Sequence, residues 1–358
     1  MIIIKIPHQC KITGETCLVK IRAKKWLDFE VVDSPCKPMG ELFFKMCDCY
    51  KAFQPPNPPA AMKVLAVLQT HPSRTASKIL AAAAQEKDIN IASDALLYIA
   101  ERGIKHKELI RALYKRLRDE SEDIRLLAKT AIEKIHAVDI EEIKKLFKQK
   151  NLYSKMGAML LIEAAQEDEA LDIIRDGIND RYHDVRKLAI SALVEIKNEK
   201  KYEIIKHYLQ STDKSLITAN FFLKELCICL ASIEITEDIL DEIEKIILTH
   251  TSEQVKIAAC MALSKTKNER TIKLLIDILK SEETSSHLKE TASQILGILQ
   301  AEESIDILIN IANSPNISTH LFNTAFCALC NIKHPKVYEF MKQHPHNSIA
   351  TAYINKYK

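Results

Sequence analysis

Apolar side chains recur at two different periods along this chain. Near the N terminus they alternate: Ile2, Ile4 and Ile6 fall on one face of an extended segment, and Cys17, Val19 and Ile21 on one face of another. Lys11-Ile12-Thr13-Gly14-Glu15 lies between them with a turn glycine, so the pattern predicts a strand pair. A short helix is expected over residues 41–52. Gln54-Pro55-Pro56-Asn57-Pro58-Pro59 then predicts a stiff extended connection. From Ala60 the apolar spacing becomes three and four. Val185, Ala189, Ala192, Leu193 and Ile196, for example, form one stripe of a helix. The chain thus divides into a small cysteine-containing α/β head (1–53), a Pro-rich linker (54–60) and a helical body (61–358).

The body repeats. Asp184-Val185-Arg186 is followed by Ala189, Ala192 and Leu193, and the same frame returns around Ala128, Ala259, Ala292 and Ala325. Weaker copies centre on Ala92, Ala158 and Leu226, giving eight anchors separated by 36, 30, 31, 37, 33, 33 and 33 residues. Each copy predicts two helices, such as 168–178 and 184–196 joined at Asn179-Asp180. One such pair cannot bury its stripe alone, so the copies must stack.

This frame resembles the HEAT-type repeats over residues 73–333, with 335–358 expected to form a half-repeat cap. The ankyrin and tetratricopeptide signatures are missing. The resemblance implies a mainly α fold: a right-handed α-solenoid of about eight two-helix repeats, with the second helices on its concave face. It also implies a ladder of hydrogen bonds and ion pairs between repeats. Asp119 and Arg125, Asp180 and Arg186, and Glu283 and Lys289 each keep a six-residue offset suited to that role, whereas His250 replaces the acid before Lys256.

Composition agrees with a stacked helical body. Only 6 of 358 residues are glycine, and no proline lies between Ser73 and Ser314. A β-sandwich or doubly wound sheet needs more turn residues. Apolar residues make up 47% of the chain, which excludes intrinsic disorder. No apolar run approaches the ~18 residues of a membrane span, so a cytoplasmic protein with no membrane partner is expected. The ten cysteines fall in two groups of five, unlike a secreted disulfide scaffold, and reduced thiols are the expectation. In the head, Cys10, Cys17, Cys36, Cys47 and Cys49 with His8 offer zinc-type ligands. There is no Cys-x-x-Cys pair among them, and buried thiols without a cofactor are the preferred reading over zinc.

Candidate binding residues come from three features. The column one residue past the anchors includes Met159, Ile190 and Phe326, an apolar strip suited to a protein or peptide partner. Phe221 and Phe222 sit at the longest repeat and offer aromatic anchors. Residues 102–151 carry 14 basic and 9 acidic side chains, against 12 and 19 over 152–249. Within the basic block Lys107, Arg111, Lys115 and Arg118 follow one helix face and could contact the phosphates of a nucleic acid. No Gly-rich phosphate loop, Gly-x-Ser-x-Gly elbow or His-Glu-x-x-His pair is present. No catalytic residue is therefore assigned. A non-catalytic interaction scaffold is the expected function, with nucleic-acid binding, or a lyase or DNA-glycosylase activity of HEAT-like type, as alternatives.

Overall fold

In the computed structural model the described residues are 2–9, 16–26, 28–33, 58–165, 167–210, 219–314, 317–345 and 347–356. The alternation at the N terminus becomes strand β1 (Ile2–Gln9), with Ile2, Ile4, Ile6 and His8 inward and the residues between them outward. It pairs antiparallel with β2 (Thr16–Lys25), which pairs antiparallel with β3 (Asp28–Asp33) in the order β1-β2-β3. Val19 and Ile21 are fully buried. The strand pair is thus a three-stranded meander. The expected turn at 11–15, the expected helix over 41–52 and linker residues 54–57 lie outside the described residues.

The expected extended connection is corrected at its end: Pro58 and Pro59 open the first helix, α1 (Pro58–Leu68), where a missing N–H costs no hydrogen bond. Two compact units divide the chain at Leu188/Ala189. The first holds the sheet and α1, then α2 (Arg74–Ala83), α3 (Ile89–Arg102), α4 (Lys107–Arg116), α5 (Glu122–Lys134), α6 (Ile140–Phe147), α7 (Leu152–Ile162) and α8 (Glu169–Ile178). Helix α9 (His183–Glu195) contains the division. The second unit continues with α10 (Lys201–Gln210), α11 (Ala219–Leu230), α12 (Glu237–Thr249), α13 (Glu253–Ala262), α14 (Glu269–Lys280), α15 (Ser286–Ile298), α16 (Ile305–Ala312), α17 (Thr319–Asn331), α18 (Pro335–Lys342) and α19 (Ser348–Lys356). The fold is mainly α with a small sheet, as the pattern predicts.

The eight anchors fall one to a helix on α3, α5, α7, α9, α11, α13, α15 and α17, and all eight are buried. In the first unit α1 packs on α3, α3 on α5 and α5 on α7. In the second, α11, α13, α15, α17 and α19 pack in the same succession. Among the described residues α1 therefore stands first in the stack, at a second-helix position, and β1 rests against it. At the other end, the expected half-repeat cap is a shortened pair, α18 and α19. Helix starts are fixed locally. The Asp88, Ser121, Asp139, Asn151, Asn268, Ser285 and Ser318 side chains each accept a backbone N–H of the following first turn.

The acid–base frame serves two purposes: Lys155 pairs with Asp180 of the next repeat, as the ladder implies, and the arginines at the basic position close their own turns. Arg125 Nη1 donates to the main-chain oxygens of Asp119 and Glu120 at 2.7 and 2.9 Å. Arg186 Nη1 donates likewise to those of Asp180 and Arg181 at 2.9 and 3.1 Å. The six-residue offset returns the guanidinium to the turn just before its own helix, so these bonds close a turn within one repeat. The acidic position accepts the backbone N–H two residues on, as Asp119 does from Ser121 and Asp180 from Tyr182, both at 3.0 Å. His250 Nδ1 accepts from Ser252 N–H at 3.0 Å, so histidine fills the same role and leaves no gap.

Candidate functional site

Second helices α5, α13, α15 and α17 each touch three neighbours: their own first helix and the second helices before and after. Helix α13 meets α12, α11 and α15. Three contacts bury a wide arc, and Val255, Ala258, Ala259, Cys260 and Ala262 are all inside. The position one past the anchor falls within that arc. Met159, Ile190 and Phe326 are accordingly core residues, each no more than 1% exposed. Phe326 packs against Phe322, Phe340 and His344, with ring centroids 4.7–5.4 Å apart. Phe222 is buried as well, its ring 4.9 Å from that of Tyr208, while Phe221 is half-buried. The expected apolar strip is thus corrected: its members pack repeats together and have no surface to offer a partner.

The exposed row lies one position further on. Ile228, Met261, Gln294 and Cys327, each two residues past its anchor, all face solvent on successive helices α11, α13, α15 and α17. Ile298, one turn beyond Gln294, is 53% exposed. The pattern missed this row because apolar and polar types mix in it. The signal available in the sequence was the recurrence of Ile, Met, Gln and Cys at one phase. Two grooves extend the row. One of about 430 Å³ between α15 and α17 is lined by Gln294, Ile298, His320, Asn323, Thr324 and Cys327. The next, of about 420 Å³ between α17 and α19, includes Cys330, Asn331, Ile349 and Tyr353.

One edge of this face carries a polar cluster joining α15 to α17. The Glu290 carboxylate is nearly buried and accepts from the Ser286 and Ser318 hydroxyls at 3.2 and 3.3 Å, with His320 Nε2 at 3.6 Å. His287 stands equivalently beside Glu253, at 3.6 Å. Ser–Glu–His in this order provides no nucleophile–base contact, because both hydroxyls point at the carboxylate. The cluster ties neighbouring repeats together.

In the first unit Lys107, Arg111, Lys115 and Arg118 are all exposed on or just after α4. Among the described residues no carboxylate forms an ion pair with any of them, whereas their neighbour Arg116 bonds Asp119. The structure therefore places the four predicted cations on one open face. Cys10, Cys36, Cys47 and Cys49 lie outside the described residues, and Cys17 stands opposite His8 in the β1–β2 register. Among the described residues no group of three or more His, Cys, Asp or Glu side chains is placed to hold a metal. Among them too, no helix is long and apolar enough to cross a membrane.

Residues 240–319 match the family model of HEAT repeats. That stretch spans most of the α12–α17 region, and the same frame and helix pairing continue on both sides of it. Over that stretch the helices are HEAT-like repeats, and the rest of the helical part resembles them. No curated protein matches the chain in sequence. Among solved structures, an engineered protein is similar at 18% identity, covering 85% of this chain and 96% of its own, with a TM-score of 0.35. Kap95p in its complex with RanGDP is similar at 10% identity over 82% of this chain and 46% of that one, with a TM-score of 0.49. The CpcE–CpcF complex of phycocyanin lyase from Nostoc is similar at 16% identity, over 75% and 94%, with a TM-score of 0.30. Likeness at this level carries no information about partner or activity.

Proposed function

We propose that this chain is a non-catalytic scaffold that binds a protein segment across the exposed face of α11, α13, α15 and α17. The observation that carries this reading is the row Ile228, Met261, Gln294 and Cys327, repeated at one phase and flanked by Ile298 and two grooves. Packed helices lie ~8–10 Å apart, and three residues of extended chain advance about 10 Å. A peptide crossing this face therefore meets a new helix at every third residue. Gln294, Asn323 and Asn331 supply amide donors and acceptors for its main chain, while Ile228, Met261 and Ile298 receive its apolar side chains.

The test is affinity capture from nuclease-treated source lysate with the wild-type chain and with M261D/I298D, read by quantitative mass spectrometry. Defined proteins retained by the wild type and lost with the double variant are expected. An identical set captured by both would sink the reading.

The cations on and just after α4, without ion pairs among the described residues, support a second reading, contact with a nucleic-acid backbone. Four phosphate contacts predict an affinity that falls with salt at a log–log slope of about −4. Reversal in R111E/K115E/R118E is expected to remove most of that slope in an oligonucleotide titration. Salt-independent binding, or an unaffected variant, would exclude it.

A further inference from the structure

Two equivalent junctions between repeats differ in one respect. Between the anchors Ala158 and Ala189, Lys155 stands three residues before the first and Asp180 nine before the second, and the two form an ion pair with the carboxylate almost wholly enclosed. Between Ala259 and Ala292 the same positions hold Lys256 and Glu283. Here the pair is not made. Lys256 Nζ turns back to the Leu248 carbonyl oxygen at 3.4 Å, and Glu283 stays exposed with no ion pair among the described residues. Asp277 beside it has none either.

The junction left open is a groove of about 460 Å³ between the α12–α13 and α14–α15 repeats. Ile247, Leu274 and Ile278 form a buried apolar floor, and Leu248 stands on its wall 60% exposed. Three carboxylates, Glu253, Asp277 and Glu283, line it against the single cation Lys256. Glu253 already faces His287. Apolar area beside uncompensated carboxylate matches a cation borne on an apolar segment, and it repels the phosphates of nucleic acid or anionic lipid. The closed junction shows which group belongs at the acidic position: an ammonium.

We infer that this groove docks a lysine or arginine side chain flanked by apolar residues on a protein partner, the partner's cation taking the place that Lys155 fills in the closed junction. The inference rests on the scaffold reading and names the chemistry of one contact. Its test uses a separate face from the exposed row, so the two can fail independently.

The probe is a fluorescein-labelled Gly-Ser peptide with Leu-Arg-Leu at its centre, titrated into the full chain and read by anisotropy. Peptides with Leu-Glu-Leu and Ser-Arg-Ser at the centre are the controls. The Leu-Arg-Leu peptide is expected to bind best, and D277N/E283Q to weaken it about fivefold or more. L248S is expected to weaken it about fivefold through lost apolar contact. M261D/I298D should leave it unchanged. Equal binding of the Leu-Glu-Leu peptide, no binding at millimolar peptide, or indifference to D277N/E283Q would each overturn the inference. So would a fall in thermal midpoint in E283Q matching that in D180N, because Lys256 would then close the junction itself.

Discussion

The basic side chain three residues before an anchor meets main-chain oxygens where it is arginine, and its burial makes that bond matter. Arg125 is 3% exposed, and its guanidinium also lies 5.6 Å from the Tyr153 ring centroid of the next second helix. Thiols at the position one past the anchor show what enclosure does to a group with no such partner. Burial pushes Cys227 and Cys260 up to about 12. In the unfolded chain a thiol titrates near ~8.5. The folded state therefore keeps two protons that the unfolded state loses. Their contribution is complete below pH ~8.5 and is lost as pH rises towards 12, by up to about 1.4 kcal/mol per pH unit for each thiol. The expected result is a thermal midpoint that falls more steeply between pH 8.5 and 10.5 in the wild type than in C227A/C260A. Parallel slopes would show that the two thiols do not ionise differently on unfolding.

At the scale of elements, the sequence makes some features legible and hides others for a physical reason. Alternation in Ile2, Ile4 and Ile6 gives β1 its inward face, and the 3–4 spacing around Ala189 gives the second helices their core. β3 carries no such alternation: Asp28-Phe29-Glu30-Val31-Val32-Asp33 is a short edge strand whose position comes from pairing with β2. The candidate surface was harder to read. A helix with one neighbour buries one stripe, and its flank is surface. A helix with three neighbours buries its flank too, so Met159 and Phe326 went inside and the row through Met261 and Cys327 stayed out. Local pattern reports the period of an element but not the number of elements around it. The cations of α4 were legible because first helices have an open face and lysine or arginine stays solvated there.

At the scale of the molecule, stability is a sum of repeats and their junctions, so a local insult spreads only as far as its neighbours. Two glycines allow that statement to be tested separately in each unit. A Cβ on Gly157 of α7 would lie 2.0 Å from the Leu117 main-chain oxygen, at the end of α4. A Cβ on Gly297 of α15 would lie 2.6 Å from the Ala328 Cα of α17. Both obstacles are backbone, so neither can swing aside as a long side chain would. Overpacking of this kind costs about 1–3 kcal/mol. Hydrogen exchange followed by mass spectrometry is the measurement. Gly157→Ala is expected to speed exchange in α4–α7 and leave α13–α19 at the wild-type rate. Gly297→Ala is expected to do the reverse, with its largest effect on α15 and α17. A uniform rise along the whole chain in either variant would mean that the array unfolds as one cooperative block. In that case the division at Leu188/Ala189 would describe the density of contacts and not the energetics.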